Sequence, residues 1–215
     1  PHIGTLVNRY RFMARLADTI NSLEPDMVVQ AGDLVNIHVR ELDPLMIKAL
    51  SSIRSRYGVY SVMGNHDLGI YIRDTLKHSP EQHLRELTAM QEHELGWHLL
   101  RNRTVFVSNG RDSITVTGID YPYDPTLNSH SQQLSGSDIP VAYAGIPDSL
   151  FNVALSHAPQ LWDELLADGH ADLTIAGHVH SMQIKFSVGK WSWSPAALFY
   201  HRWSGLYEQK GKYLY

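Results

Sequence analysis

Six residues of the kinds that bind metal ions are spread over five short blocks of the chain. They are His2, Asp33, Asn65, His157, His178 and His180. Imidazole nitrogens combined with carboxylate and amide oxygens suit borderline metals such as Mn, Fe or Zn, and two such ions can clamp a phosphate. A single block could be a strand-end turn, a hydrogen-bonded loop or the polar edge of a strand. The ordered set of five instead predicts one shared site for two metal ions.

Four of these blocks each follow a short apolar segment that is predicted to be a strand. The predicted strands are Met27–Ala31, Val59–Met63, Phe151–Leu155 and Leu173–Ala176. In open α/β sheets, ligands bind where loops leave the carboxyl ends of the strands. We therefore expect Asp33, Asn65, His157 and His178 to converge at one edge of the sheet. Glycines directly before Asp33, Asn65 and His178 permit tight turns out of the strands.

Helical periodicity and capping residues predict helices between the strands. The predicted helices are Asn8–Leu23, Asp43–Arg56 with Asp43 as the N-cap, Ser79 to about Glu94 with a capping box at Ser79 and Gln82, and one near Gln160–Ala167. Further strands are predicted at Thr104–Val107, at Ser113–Ile119 and in a pair that starts at Met182. The alternation of strand, ligand-bearing loop and helix predicts the α/β class with mixed sheets. Residues 121–147 are rich in Pro, Ser, Gly and Asn, which predicts a long functional loop.

Length and composition exclude several other classes. With 215 residues, of which 43% are hydrophobic, the chain is expected to form one domain, residues 1–215, with a sizeable core. The lack of cysteine excludes disulfides, thiolate metal sites and cysteine nucleophiles. A net charge of -4 without a long basic run leads us to expect no stable nucleic-acid partner. No apolar run reaches the roughly 18 residues of a membrane span, and the chain opens inside a motif, so we expect it to be trimmed at both ends.

The longest motifs together resemble those of the calcineurin-like metallophosphoesterase superfamily. They are Gly32-Asp33-Leu34-Val35, Gly64-Asn65-His66-Asp67, Ser156-His157-Ala158-Pro159, and Gly177-His178-Val179-His180 followed by Gln183-Ile184. The resemblance runs from His2 to about Ile184 and is strongest toward the bacterial envelope branch, which includes UDP-2,3-diacylglucosamine hydrolase-like phosphodiesterases. The tail Trp203–Tyr207 is also similar to that branch. This resemblance implies a four-layer α/β/β/α sandwich with a dimetal site at the carboxyl ends of the strands.

The same resemblance implies a role for each residue of the site. Asp33 would bridge two ions of Mn, Fe or Zn. His2 and His180 would bind the first ion. Asn65, His157 and His178 would bind the second. His66 would contact the phosphate and protonate the leaving oxygen after attack by a metal-bound hydroxide. Asn36 and Asp67 would support these residues without binding metal themselves.

Two departures from the superfamily pattern bear on these expectations. The pattern begins with Asp-x-His, and its Asp would fall one residue before Pro1, outside this sequence. A site without that Asp would bind the first metal weakly. At Asn36 the pattern usually has an Asp that orients the catalytic histidine. Because an amide cannot stabilise an imidazolium as a carboxylate does, we hypothesise a lower pKa for His66 than in Asp-bearing relatives.

The sequence favours a two-metal hydrolase of phosphodiesters or pyrophosphates over three alternatives. A protein phosphatase is disfavoured because Asn36-Ile37-His38 and Asp67 replace the Asp-Arg-Gly and the Glu of those enzymes. A nuclease is disfavoured by the acidic balance. A non-catalytic module that only binds a phosphorylated ligand is supported by the two departures alone. The resemblance and an aromatic tail favour a lipid-linked substrate and contact with a membrane surface. The location stays open between the bacterial cell envelope and the cytoplasm.

The remaining histidines and the aromatic tail have ordinary explanations. We expect the histidines outside the motifs to be solvated or hydrogen-bonded in the core. They are His38, His78, His83, His93, His98, His130, His170 and His201. Of these, only His38 could reach the cleft, because it follows the Asp33 loop. Aromatic side chains cluster near the C-terminus at Trp191, Trp193, Phe199, Tyr200 and Trp203. We favour a packed segment that covers the sheet over a surface that contacts a membrane or acyl chains. Exposure of these rings beside the cleft distinguishes the two.

Overall fold

Two packed β-sheets form the centre of the protein. The computed structural model describes residues 2–6, 9–73, 79–122, 136–180, 185–189 and 191–215. Within these ranges, the smaller sheet has three parallel strands, β1 (Val28–Ala31), β2 (Val59–Val62) and β3 (His98–Leu99). The other strands in the described part of the chain are β4 (Arg103–Ser108), β5 (Ser113–Ile119), β6 (Asn152–Ser156), β7 (Leu173–Ala176), β8 (Phe186–Val188), β9 (Trp191–Trp193), β10 (Tyr207–Gln209) and β11 (Lys212–Leu214).

The larger sheet is parallel in its middle and antiparallel at both edges. Its order is β10-β11-β7-β6-β5-β4. The strands β11, β7, β6 and β5 run parallel, whereas β10 and β4 pair antiparallel with their neighbours. The strands β8 and β9 form a separate antiparallel hairpin. The α/β class with mixed sheets is therefore confirmed.

The two sheets face each other through an apolar layer. Tyr60 and Val62 of β2 share a buried cluster with Val116 of β5 and with Val153 and Leu155 of β6. Alternate residues of a strand point to opposite faces, so the same strands present a second face to the helices. Burial of each large side chain is worth about 1.5–3 kcal/mol, and this layer therefore fixes the two sheets against each other.

Helices cover the outer faces of both sheets. In the described ranges they are α1 (Tyr10–Ser22), α2 (Pro44–Ser51), α3 (Pro80–Ala89), α4 (Ile139–Ala142) and α5 (Trp162–Asp168). Met46 of α2 and Leu87 of α3 share a second buried cluster with Val59 of β2, and Leu165 of α5 belongs to it with Ala154 of β6. The layers are thus helix, sheet, sheet and helix, as the resemblance implied. None of the helices in these ranges has the length and apolar character needed to cross a bilayer.

The predicted N-caps of α2 and α3 are present. Asp43 accepts two main-chain hydrogen bonds at 2.8 Å, and Ser79 accepts one from Gln82 N at 3.4 Å. The Gln82 side chain donates through Nε2 to Glu86 Oε1 at 2.7 Å, one helical turn further along α3. A π-helical turn at Met90–Glu94 follows α3 and brings helical structure to the predicted end.

Three segments differ from the sequence prediction. The helix α2 ends at Ser51 instead of Arg56, because Asn21 Oδ1 accepts a hydrogen bond from Arg54 N and the chain turns toward the loop after α1. The predicted loop 121–147 contains α4, and its residues 123–135 lie outside the described ranges. The predicted strand start at Met182 also lies outside them.

Candidate metal centre

Loops that leave four parallel strands meet at one edge of the two sheets. Asp33 follows β1, Asn65 follows β2, His157 follows β6 and His178 follows β7. His2 joins them because its main-chain N–H donates to Asp33 O at 2.9 Å. The structure thus brings the six residues predicted to bind metal into the lining of one cleft of about 1280 Å³.

Four of these residues have a left-handed backbone conformation. The φ angle is 52° at His2, 54° at Asp33, 70° at His178 and 52° at His180. Non-glycine residues rarely adopt such angles, and those that do cluster at functional sites. Gly32 has a φ of 82°, and a Cβ there would lie 2.6 Å from His157 Nδ1. The turn that directs Asp33 into the cleft therefore requires a glycine before it.

The Asp33 carboxylate lies at the centre of the cluster. Its Oδ2 is 3.0 Å from His157 Nε2 and 3.3 Å from His2 Nε2, and its Oδ1 accepts a hydrogen bond from His66 N at 3.0 Å. Only 3% of Asp33 is exposed. Asp33 belongs to two groups whose potential ligand atoms lie within 4.8 Å of one another: His2 with Asp33 and His66, and Asp33 with His157 and His178.

Two further contacts attach the remaining predicted ligands to these groups. His180 Nε2 lies 3.1 Å from His2 Nε2, so His180 is beside the first group. Asn65 Oδ1 lies 3.0 Å from His178 Nδ1, so the Asn65 amide is beside the second group. The first group itself contains His66, which the resemblance implied to be the acid, in the place where His180 was expected.

The contacts of His157 fit a bound cation. His157 Nδ1 donates a hydrogen bond to Ala31 O at 2.7 Å, so its Nε2 carries the lone pair of a neutral ring. That buried Nε2 has no aligned hydrogen bond, yet it faces an Asp33 carboxylate oxygen at 3.0 Å. Two acceptor atoms this close repel each other unless a proton or a metal ion lies between them. Nitrogen and carboxylate oxygen together suit a divalent transition metal.

The electrostatics of the cleft keep its carboxylate ionised and one of its imidazoles neutral. Burial alone would raise the pKa of Asp33, but the close imidazoles of His157 and His2 hold that pKa well below its ordinary value. Burial and the nearby His157 lower the pKa of His178 to about 4. Because a metal ligand must be a neutral imidazole or an ionised carboxylate, both groups are ready to bind a cation at neutral pH.

The His66 ring is held by the main chain of Asn36. His66 Nδ1–H donates to Asn36 O at 2.6 Å. The sequence pattern led us to expect the side chain at position 36 to orient this ring, and the structure uses the carbonyl oxygen instead. The ring fixed in this way is part of the cleft lining.

Asp67 ties together the loops that carry Asp33 and Asn65. Its Oδ1 accepts from Val35 N at 3.0 Å, and its Oδ2 accepts from Gly64 N at 2.9 Å. Burial and the neighbouring Asp33 raise the pKa of Asp67. Asp67 therefore fixes the main chain of both loops from behind the cleft.

Sequence reasoning missed Tyr71 as a residue of the cleft. Its hydroxyl accepts a hydrogen bond from Asn65 Nδ2 at 2.8 Å, and its ring centroid lies 4.3 Å from that of His66. The Asn65 amide is thereby oriented with its nitrogen on Tyr71 and its oxygen toward His178. The only signal in the sequence is that Tyr71 follows Gly64-Asn65-His66-Asp67 within a few residues.

The histidines outside the motifs follow the expected pattern where the structure describes them. His83 is a satisfied core residue, since its Nδ1 accepts from Val39 N and its Nε2–H donates to Asp67 O. His38 packs with its ring centroid 6.2 Å from that of His83 and is not among the described residues that line the cleft. His78 and His130 lie outside the described ranges.

The expectation of a packed aromatic tail is wrong for two of its four aromatic side chains that the structure describes, Trp193 and Phe199. Phe199 is 73% exposed and Trp193 is 38% exposed, and their apolar neighbours Leu198 and Phe186 are 73% and 58% exposed. Trp203 lines the metal cleft. Composition alone could not distinguish an aromatic core from an aromatic surface, because both are rich in the same residues.

Comparison with known proteins agrees with this geometry. A family profile described as calcineurin-like phosphoesterase matches residues 2–182. The chain belongs to the calcineurin-like phosphoesterase family. This membership supports phosphoester hydrolysis that depends on divalent metal ions, as the motifs predicted.

Curated relatives of this family member come from distant organisms. An uncharacterized metallophosphoesterase of Helicobacter pylori is 26% identical over 85% of the chain and 43% of its own length. A transmembrane protein with metallophosphoesterase domain of Danio rerio is 28% identical over 85% of the chain and 39% of its own length. The UDP-2,3-diacylglucosamine pyrophosphatase LpxG of Chlamydia muridarum is 23% identical over 84% of the chain and 61% of its own length. The chain thus spans less than two thirds of each of these relatives. No solved structure matches it significantly.

Proposed function

We propose that this calcineurin-like phosphoesterase hydrolyses phosphodiesters or pyrophosphates with two divalent metal ions on either side of Asp33. The observation that carries the proposal is the position of the Asp33 carboxylate in both groups of potential ligands. When bound, two such ions would neutralise phosphate charge and provide a hydroxide nucleophile from water near neutral pH. Their identity could be Mn, Fe or Zn.

The proposal divides the metal ligands by the contacts that the structure contains. Besides Asp33, the residues of the two metal positions are His2 with His180, and Asn65 with His157 and His178. Asn65 contributes a neutral oxygen, which keeps the net charge of the loaded site positive for an anionic substrate.

His66 is the proposed general acid. Its Nδ1–H is fixed on Asn36 O at 2.6 Å, so the ring cannot turn freely in the cleft. A proton held on Nε2 could then be transferred to the oxygen of the leaving group. In this scheme His66 donates a proton and hydroxide from water is the nucleophile. No covalent enzyme intermediate is therefore required.

A lipid-linked substrate is the finer part of the proposal. The exposed apolar side chains Phe186, Trp193, Leu198 and Phe199 lie in the segment 185–206, which leads to Trp203 in the cleft. The Tyr200 ring centroid lies 6.4 Å from that of His178 in the same segment. Exposed apolar patches of this kind mark surfaces that bind partners, ligands or membranes, and one relative is named for a diacylated nucleotide sugar.

The cleft lining argues against the nuclease alternative. None of the described residues that line the cleft is a Lys or an Arg. Nucleic-acid affinity comes mainly from cationic side chains on phosphates, so a polynucleotide would find few contacts beyond the metal ions. The alternative of a non-catalytic binding module would have no need for the fixed orientation of His66.

The first test compares Mn-dependent hydrolysis of bis-p-nitrophenyl phosphate and p-nitrophenyl phosphate. We expect cleavage of the diester that disappears on chelation and returns with Mn, and that is reduced in His66→Ala. His201→Ala, which changes an exposed histidine, is the matched control and should retain native rates. Absence of metal-dependent cleavage of either compound would support a binding module instead.

The lipid-linked part has its own test. We expect kcat/KM for a diacylated pyrophosphate diester in detergent micelles to exceed that for its deacylated counterpart by more than tenfold, because burial of two methylene groups at about 0.8 kcal/mol each suffices. The double substitution Leu198→Ser with Phe199→Ser should reduce this preference. Leu45→Ser changes a side chain that is 50% exposed on α2 and should not. An equal rate for both compounds in the native protein would contradict a lipid-linked substrate.

A further inference from the structure

The Glu41 carboxylate accepts hydrogen bonds from four main-chain N–H groups. Its Oε2 accepts from Gly4 N at 2.9 Å and from Asn36 N at 2.6 Å. Its Oε1 accepts from Ile37 N at 2.7 Å and from His38 N at 3.0 Å. Each carboxylate oxygen thus accepts two hydrogen bonds. The donors belong to two segments that lead into the metal cleft, one at Gly4 and one at residues 36–38.

Capping of the short helix at Val39–Glu41 does not account for this arrangement. Of the four bonds to the Glu41 carboxylate, a capping box uses only the one from His38 N. The bond from Gly4 comes from a segment far away in sequence, and a Cβ on Gly4 would lie 2.5 Å from the Glu41 carboxyl carbon. A side chain at position 4 would therefore displace the Glu41 carboxylate from its present position.

One peptide group connects Glu41 to His66. The carbonyl of Asn36 and the N–H of Ile37 belong to the same planar unit. The Ile37 N–H donates to Glu41 Oε1 at 2.7 Å, and the Asn36 carbonyl accepts from His66 Nδ1 at 2.6 Å. Hydrogen bonds in such a chain polarise one another, so the carboxylate strengthens and aims the carbonyl that holds the ring.

We propose that Glu41 is a positioning residue that acts on His66 through the Asn36–Ile37 peptide. An Asp at position 36 could contact His66 directly. In this chain position 36 is Asn, and the carboxylate of Glu41, five residues later, acts on His66 through one peptide group. Glu41 thereby keeps the proton of the neutral His66 ring on Nδ1, so that Nε2 is the nitrogen that takes up and releases the proton given to the leaving group. The catalytic consequence rests on the proposed function, whereas the effect on the His66 tautomer does not.

The test uses Glu41→Gln, which keeps the size of the side chain. Its single acceptor oxygen can serve only one pair of N–H groups, and its NH2 group faces the other pair. At saturating Mn we expect kcat for a diester with an alkyl leaving group to fall about 10- to 100-fold, with KM changed less than threefold. Glu164→Gln alters an exposed glutamate on α5 and should retain the native kcat.

A double-mutant cycle separates positioning from general support of the fold. If Glu41 acts through His66, Glu41→Gln should lower kcat in the native protein but have almost no further effect in a His66→Ala background. An equal loss in both backgrounds would overturn the proposal, because it would mean that Glu41 only stabilises the loops. Glu41→Asp, which keeps the charge, replaces Glu41→Gln if the latter does not fold.

A second readout does not depend on activity. In 15N-histidine spectra, with the His66 signal identified by its loss in His66→Ala, the native ring should show a protonated Nδ1 and an unprotonated Nε2. Glu41→Gln should shift this ring toward a mixture of tautomers. An unchanged His66 tautomer in Glu41→Gln would overturn the proposal even if the protein proved inactive, while an inactive native protein with the expected shift would count only against the proposed function.

Discussion

Replacing Asp33 with Asn is expected to remove both bound metal ions together. The Asp33 Oδ2 lies 3.0 Å from His157 Nε2 and 3.3 Å from His2 Nε2, so the same oxygen faces both groups of potential ligands. Replacing a residue that only supports a metal ligand typically lowers metal affinity 10- to 100-fold. Loss of a charged ligand shared by both ions should lower it by more than about 100-fold. Metal content after equilibration with Mn and gel filtration measures the effect, together with the rate of diester hydrolysis.

The control for this substitution is Asp18→Asn, which changes an exposed carboxylate on α1. The fold of Asp33→Asn should survive, because the amide oxygen can still accept the hydrogen bond from His66 N that Asp33 Oδ1 accepts at 3.0 Å. Retention of two ions at native affinity in Asp33→Asn would contradict the bridging role. Loss of only one ion would mean that Asp33 serves a single metal position.

Replacing His66 with Ala is expected to lower kcat by about 10²- to 10⁴-fold, the usual worth of a general acid. Metal content should stay native, because the ring is held on Asn36 O rather than assigned to a metal. The loss should be larger for a diester with an alkyl leaving group than for the p-nitrophenyl diester, because nitrophenolate departs without protonation. Rates for both diesters and the Mn content measure these expectations.

The structure also offers a different outcome for His66. Its ring lies in the group with His2 and Asp33, close enough for one of its nitrogens to bind metal. A fall in metal content in His66→Ala, with equal losses for both leaving groups, would identify His66 as a ligand and remove it as the acid. His201→Ala, an exposed histidine, should change neither quantity.

The convergence of the site was predictable because it depends on side-chain types that directly follow strands. Asp33, Asn65, His157 and His178 come after short apolar segments, and parallel strands bring their carboxyl ends to one edge. The large apolar residues of these strands also predicted the sheets that position them. His2 and His180 lie in the same cleft.

The parts that sequence reasoning missed involve main-chain atoms or surface exposure. The His66 ring is held by the carbonyl of Asn36, and Glu41 binds four N–H groups, so both contacts are made with main-chain atoms that leave no side-chain motif in the sequence. Tyr71 bonds Asn65 through a loop geometry that no motif encodes. The exposure of Phe199 could not be inferred either, because an aromatic residue has the same sequence signal in a core and on a surface.

Anomalous diffraction from crystals grown with a small excess of Mn tests the central claim most directly. The account predicts two peaks on either side of the Asp33 carboxylate. One peak should lie near His2 and His180, and the other near Asn65, His157 and His178. A single peak, or two peaks of which neither contacts Asp33, would contradict a two-metal phosphoesterase site.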